Sequence, residues 1–268
     1  MYAGTTIGKH SGGLLGVHQR IDRIARHQLK AIISDDSKFP NTARILYFEG
    51  NNGPDAIKRK SPSVDEPWHF INPKKPEDRT LIDIIRDHRI NLAQSLKSEN
   101  YERASFEAAW LAHAIVDGLT PAHHYPLADK IEELFGMPHH ERSSVKGKGI
   151  IKGNGRRDTL SKNWQYWGSG GVFSSHAMFE FGVATAILGH TYNREKLVSK
   201  QDIKLLEANG YEEVFERILH QVVSLGMYEE FMQKGWTVRL TKDVRRKLIP
   251  LIVRAVCLSW YSAIEEAK

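Results

Sequence analysis

The chain of 268 residues holds a single cysteine, Cys257, so it can form no internal disulfide and has no cysteine-based zinc motif. A metal site in this protein must therefore be built from His, Asp and Glu, and thirteen histidines leave room for one. Charge of one sign is also scarce in excess: 38 basic residues against 32 acidic ones leave +6, a mild surplus that suits an anionic partner without identifying one. Long hydrophobic runs are missing. The richest stretch, residues 248–264, contains Pro250 and Arg254 and is read as a buried helix rather than a transmembrane segment. The first residues, MYAGTTIGKHSGG, lack the apolar core of a secretory signal, so the expected location is cytoplasmic, with export by another route left open. No period-two alternation of strands and no internal repeat is visible.

What is present is helical periodicity. Leu14, Val17, Ile21, Ile24, Ala25, Leu29 and Ile32 follow the three-and-four spacing of an amphipathic helix. Residues 81–96 and 101–117 repeat the pattern, with Gly118 and Pro121 ending the second. Further helices are expected at 172–189, 210–234 and 241–266. Between them, residues 40–79 carry the turn signals NNGP, KRKSPS, DEPW and NPKKPED and read as a long functional loop. Residues 138–171 are glycine-rich and basic, with Lys146, Lys148, Lys152, Arg156, Arg157 and Lys162, and read as a mobile insertion or a flap over an anionic substrate. The expectation is an all-α single multi-helix domain over residues 1–268.

The chemistry concentrates in AHAIVDGLTPAHH, residues 112–124. Positions four apart share a helix face, so His113 and Asp117 can share one ion. His176 and Glu180 repeat the device downstream. A lone histidine on a helix is more often packed or at the surface; two such pairs, with a histidine after a proline-terminated helix, are more specific. His18 lies on the inward side of the first helix, where it needs a partner. His69 sits in EPWHFINP, a stretch that Pro67 and Trp68 would hold extended and anchored, and Asp55 sits in the turn NNGPDAI.

In order and spacing these segments resemble the zinc-dependent phospholipase C and S1–P1 nuclease superfamily, which consists of all-α enzymes with a trinuclear zinc centre. HAIVDGLTPAH is similar to its central motif, PWHFIN to its histidine-bearing loop, GVHQRIDRIAR to its first-helix segment and HAMFE to its last ligand pair. Glu180, where the nuclease branch has Asp, places the likeness nearer the phospholipases. The resemblance implies two or three zinc ions. One would be held by Asp55, His69, His113 and Asp117. A second would share Asp117 and take His18, and a third would take His123, His176 and Glu180. It implies hydrolysis of a phospholipid or other phosphodiester by a zinc-activated hydroxide, with Asp55 as general base.

The chain departs from the family at two places. The relatives complete the bridged site with an N-terminal tryptophan; here Met1 and Tyr2 stand, and the expectation is that the Met1 amine or His10 takes its place or that this position stays empty. The aromatic positions beside the loop aspartate and before the loop histidine are Ala56 and Glu66, which weakens cation–π recognition of choline. Two other functions fit the same residues. One is a single-strand nuclease, with Trp164, Tyr166 and Trp167 in the basic segment as stacking faces; the other is a helical protein that binds metal without turnover. His124 is read as lying outside the ligand set, and His88, His139, His140, His190 and His220 match no motif position.

Overall fold

A computed structural model of the chain describes residue 1 and residues 16–50, 52–60, 69–124, 127–137, 141, 150–192 and 195–268. Every regular element among them is helical and none is a strand, so the chain is all-α. The helices are α1 (Val17–Lys30), α2 (Thr42–Glu49), α3 (Pro54–Lys60), α4 (Thr80–Lys97), α5 (Tyr101–Gly118), α6 (Leu127–Phe135), α7 (Arg156–Trp167), α8 (Val172–Ile187), α9 (Lys200–Ser224), α10 (Met227–Lys234), α11 (Val238–Asp243) and α12 (Ile249–Glu266). One hydrophobic core joins residues from Val17 to Ala263, as a single domain requires.

Helix α5 lies at the centre. It starts where the Asn100 side chain accepts the Arg103 amide at 3.1 Å. Glu99, at φ 54°, turns the chain sharply out of α4, so α4 packs back along α5. From Ala108 to Gly118 only Trp110 is not fully buried. A helix buried on all sides needs small residues wherever neighbours approach, and five alanines between 104 and 114 provide them. Helices α1, α2 and α12 cover the remaining sides. Trp260 of α12 fills space against α5 and donates its indole N–H to the Ala108 carbonyl at 3.0 Å. Gly118 is required at the far end, because a Cβ there would stand 2.9 Å from the Phe215 ring of α9.

The apolar stretch at 248–264 is α12, packed inside the protein. By length and composition the segment Val238–Glu266 would suffice to cross a membrane, yet most of its apolar window is buried against other helices. Pro250 leaves one amide missing near the start of α12, and the chain runs through a widened π turn at Val244–Leu248 just before it.

Three expectations are corrected. Residues 40–79 are not one continuous loop: Asn41 caps α2, its side chain accepting the Arg44 amide at 3.0 Å, and Pro54 opens α3. Nor is 138–171 irregular throughout, since α7 occupies Arg156–Trp167. Its apolar residues Leu160, Trp164 and Trp167 do fall at helical spacing, but the glycines and lysines before them mask the pattern. The helix expected at 210–234 is longer and divided. It starts at Lys200 behind a Ser199–Asp202 capping box, kinks at Gly210, and breaks before α10. Leu14, Lys146 and Lys148 lie outside the described residues.

Candidate metal centre

Four helices and two connecting segments deliver the site. His18 is the second residue of α1, and His113 and Asp117 are one turn apart on α5. Asp55 lies in the first turn of α3, and His176 and Glu180 are one turn apart on α8. His69 comes from irregular backbone and His123 ends the short 3-10 turn Pro121–His123, and the two segments hold each other. The His123 Nδ1–H donates to the His69 carbonyl at 2.6 Å, and the Ile71 amide donates to the His123 carbonyl at 3.3 Å. The first of these bonds fixes the imidazole tautomer, so His123 presents Nε2 to Glu180 Oε1 at 3.0 Å.

All eight sequence-selected residues converge. They fall into three sets whose ligand atoms lie within 4.8 Å of one another: His18, His113 and Asp117; Asp55, His69 and His113; and His123, His176 and Glu180. Asp117 sits between them. Its Oδ1 faces His18 Nε2 at 3.4 Å and His123 Nδ1 at 3.6 Å. Its Oδ2 faces His113 Nε2 at 3.1 Å and makes a short contact with His69 Nδ1. Two pairs of rings stack beside it, His18 on His113 at 4.0 Å and His123 on His176 at 4.8 Å.

Met1 enters the same space. Its amine lies 2.6 Å from Asp117 Oδ1 and 3.4 Å from Glu180 Oε1, and its carbonyl lies 2.6 Å from His18 Nε2. Of the two groups expected to stand in for an N-terminal tryptophan, the Met1 amine lies at the site. His10 lies outside the described residues, as do Tyr2, Glu66, Pro67, Trp68, His139 and His140. Burial alone would make the amine less basic, but the carboxylates of Asp117 and Glu180 lift its pKa to about 10. Burial likewise disfavours ionised Asp117 and Glu180. The amine outweighs it for both, together with His123, His113 and His69 around Asp117 and with His176 around Glu180, holding the two acids well below the usual carboxylate range.

The residues fit a metal by their own chemistry. His113 Nε2, which faces Asp117 Oδ2 and Asp55 Oδ1, is a buried ring nitrogen without a well-formed hydrogen bond in the protein, a costly state that an ion bound at that nitrogen would relieve. Imidazole and carboxylate are donors that zinc accepts. The eight residues can hold metal.

Two buried acids escape the motif search. Glu49, the last residue of α2, is fully buried with Oε1 at 3.0 Å from His113 Nδ1 and 3.7 Å from His18 Nδ1. It stands behind both stacked rings, so each can turn Nε2 toward Asp117. Nothing in the sequence around Glu49 signals this, because its partners lie 31 and 64 residues away. Asp22 is also buried, and burial and nearby Glu49 push its carboxyl well above the usual range. Its signal was available: Asp22 follows His18 by four positions, the spacing of the other two pairs.

The remaining histidines stay outside. His124 donates its Nε2–H to the Gly118 carbonyl at 2.7 Å. His88 pairs with buried Glu107 at 2.6 Å, and His190 lies near Glu195 at 3.8 Å. His220 is exposed on α9. Ala56 is buried and presents no aromatic ring. Comparison with protein-family models, with curated proteins and with solved structures returned no match.

Proposed function

We propose that the protein is a zinc-dependent phosphodiesterase acting in the manner of a phospholipase C, with its nearest likeness in the phospholipase branch of the phospholipase C and S1–P1 nuclease superfamily. The single observation that carries this reading is Asp117. One oxygen of this buried carboxylate faces His18 Nε2 and the Met1 amine and the other faces His113 and His69, an arrangement suited to a ligand shared by two ions. Zinc, when bound, acidifies water to near neutrality and offsets the charge of a phosphate ester.

The chain's own groups set the rest. Asp55, Asp117 and Glu180 bring three negative charges, so a site holding three divalent ions keeps a net charge of about +3 for an anionic substrate. Asp55 is the most exposed of these acids, its side chain 27% accessible and 3.7 Å from His113 Nε2. Burial opposes its ionisation, but His113 and His69 hold its carboxyl below the ordinary value, so it is ionised at neutral pH and can accept a proton as general base. Phe70 packs beside the rings of His123 and His176, at 5.3 and 6.3 Å, and forms an apolar side of the open end.

A second reading keeps the centre and takes single-stranded nucleic acid. Exposed Trp164 and Trp167 near Arg156 and Arg157 favour it. Against it stand Glu180 and Tyr166, whose ring is buried near Phe135 and Phe173 and offers no stacking face. The experiment is metal analysis of the purified chain followed by turnover on a chromogenic phosphodiester, phospholipid vesicles and single-stranded DNA. Two or three zincs with cleavage of the first two substrates is the expected result. DNA cleavage alone selects the nuclease, and zinc without any turnover selects a metal-binding protein.

A further inference from the structure

Apolar exposure is concentrated in one part of the protein. Of twelve large apolar side chains that are solvent-exposed among the described residues, nine lie between Met137 and Leu188. Helix α7 is the clearest case. Leu160, Trp164 and Trp167 follow at helical spacing on one side and are 72%, 69% and 44% exposed. The inward side carries one ring, Tyr166, packed with Leu134 and Ile151, and is otherwise polar: the Asn163 side chain donates to the Ile151 and Thr159 carbonyls, each at 2.7 Å. A soluble helix ordinarily does the reverse.

The charges are as unusual. Arg156 and Arg157 occupy the first turn of α7, where the helix dipole disfavours cations, and neither makes an ion pair among the described residues. Lys152 lies just before them. The one acid in the helix, Asp158, is engaged locally: it accepts the Asn154 amide at 2.6 Å and lies 3.9 Å from Lys162. An outward apolar stripe and unpaired cations at a helix N-terminus both disfavour the isolated protein, and both are compensated at an anionic lipid surface.

The stripe also leads to the centre. Trp167 packs on Phe173 at 4.7 Å, and Phe173 precedes His176 by one turn of α8. Trp167 also lines a groove of about 720 Å³ together with Met178, Phe181, Met232 and Trp236. We infer that α7 and the exposed face of α8 form a docking surface for an anionic phospholipid bilayer.

Two other occupants fit less well. A second copy would have to supply acids to Arg156 and Arg157, and the only acid on α7, Asp158, is already engaged by the Asn154 amide and Lys162. Nucleic acid gains from cations along a track and from aromatic faces, whereas here the cations cluster at one end and the most exposed apolar side chain is aliphatic Leu160.

The test is sedimentation of the full-length chain with vesicles of phosphatidylcholine alone and of phosphatidylcholine mixed with phosphatidylglycerol, with tryptophan emission recorded in parallel. The chain is expected to bind the mixed vesicles with a blue shift. Leu160→Asp combined with Trp164→Asp is expected to lower the partition about tenfold or more. Arg156→Gln and Arg157→Gln are expected to lower it about fivefold each on anionic vesicles only. Tyr47→Asp, at an exposed ring on α2, is expected to change nothing. Circular dichroism and metal content of the variants report folding and an intact centre. The surface stands if vesicles bind without turnover. The inference is overturned if neither vesicle binds, if the Leu160 and Trp164 variant or the Tyr47 variant behaves contrary to expectation, or if those α7 substitutions abolish a dimer or single-stranded DNA binding instead.

Discussion

Helices α5 and α8 carry the same four-residue device, a histidine followed one turn later by a carboxylate, in different surroundings. On α5 both side chains are about 2% exposed and helices pack on every side; on α8 His176 and Glu180 are 11% and 14% exposed. The carboxylate of Asp117 is approached by Met1, His18, His69, His113 and His123, whereas that of Glu180 meets His123, His176 and the Met1 amine. Burial and the number of partners rise together. Identical spacing therefore serves two purposes: the α5 pair holds the centre together and the α8 pair closes its accessible side. The second purpose leaves α8 free to adjoin the exposed α7 surface.

Asp117→Asn would break this contrast most severely. It is expected to remove metal from two of the three sets and to reduce activity by more than the roughly 10–100-fold of a change behind the ligands. Metal content per chain and turnover on a chromogenic phosphodiester measure it. Glu180→Gln is expected to release only the metal of its own set; loss of all metal from that variant would erase the distinction between the two helices. One extra residue before Met1 moves the amine off Asp117, and the expected result is a deficit of one ion with the α8 set retained.

Glu49→Gln sharpens the comparison from behind α5. Its expected effect is a loss of metal affinity of about 10–100-fold, with full occupancy recovered at high metal concentration. Unchanged affinity by competition with a chelator would remove Glu49 from the centre. The smallest expected effect belongs to His124→Ala, with metal content and turnover near those of the parent chain. Its trace is in the pH dependence of the metal-free protein. Burial outweighs the bond to the Gly118 carbonyl and lowers the His124 pKa to about 4. The unfolded chain then binds the proton first, so stability contributed above pH about 6.5 is lost as pH falls toward 4. His123, lowered to about 3 by burial, extends the same trend. Removing the His124 imidazole should flatten part of that slope in denaturant titrations.

Three of the helices that build the centre, α1, α5 and α8, were legible in the sequence, whereas α3, which carries Asp55, is hidden among turn signals and read as loop. Val17, Ile21, Ile24, Ala25 and Leu29 mark α1 as clearly in the sequence as in the core. The ligand positions were legible for a related reason, since a helix turn converts a spacing of four into proximity. Glu49 was not, because no local rule links the last residue of α2 to rings on α1 and α5; only packing does. Asp22 was passed over although its spacing from His18 was available. Helix α7 was obscured for another reason: its apolar stripe faces solvent, so a periodicity that normally signals burial came with the composition of a loop.

The central claim is that one shared carboxylate organises a polynuclear metal site. Anomalous diffraction at the zinc absorption edge, from crystals of the metal-loaded chain, tests it most directly. The account expects peaks on both sides of Asp117, one toward His113 and His69 and one toward His18 and Met1, with a further peak bounded by His123, His176 and Glu180. A map with no peak beside either oxygen of Asp117 would contradict it.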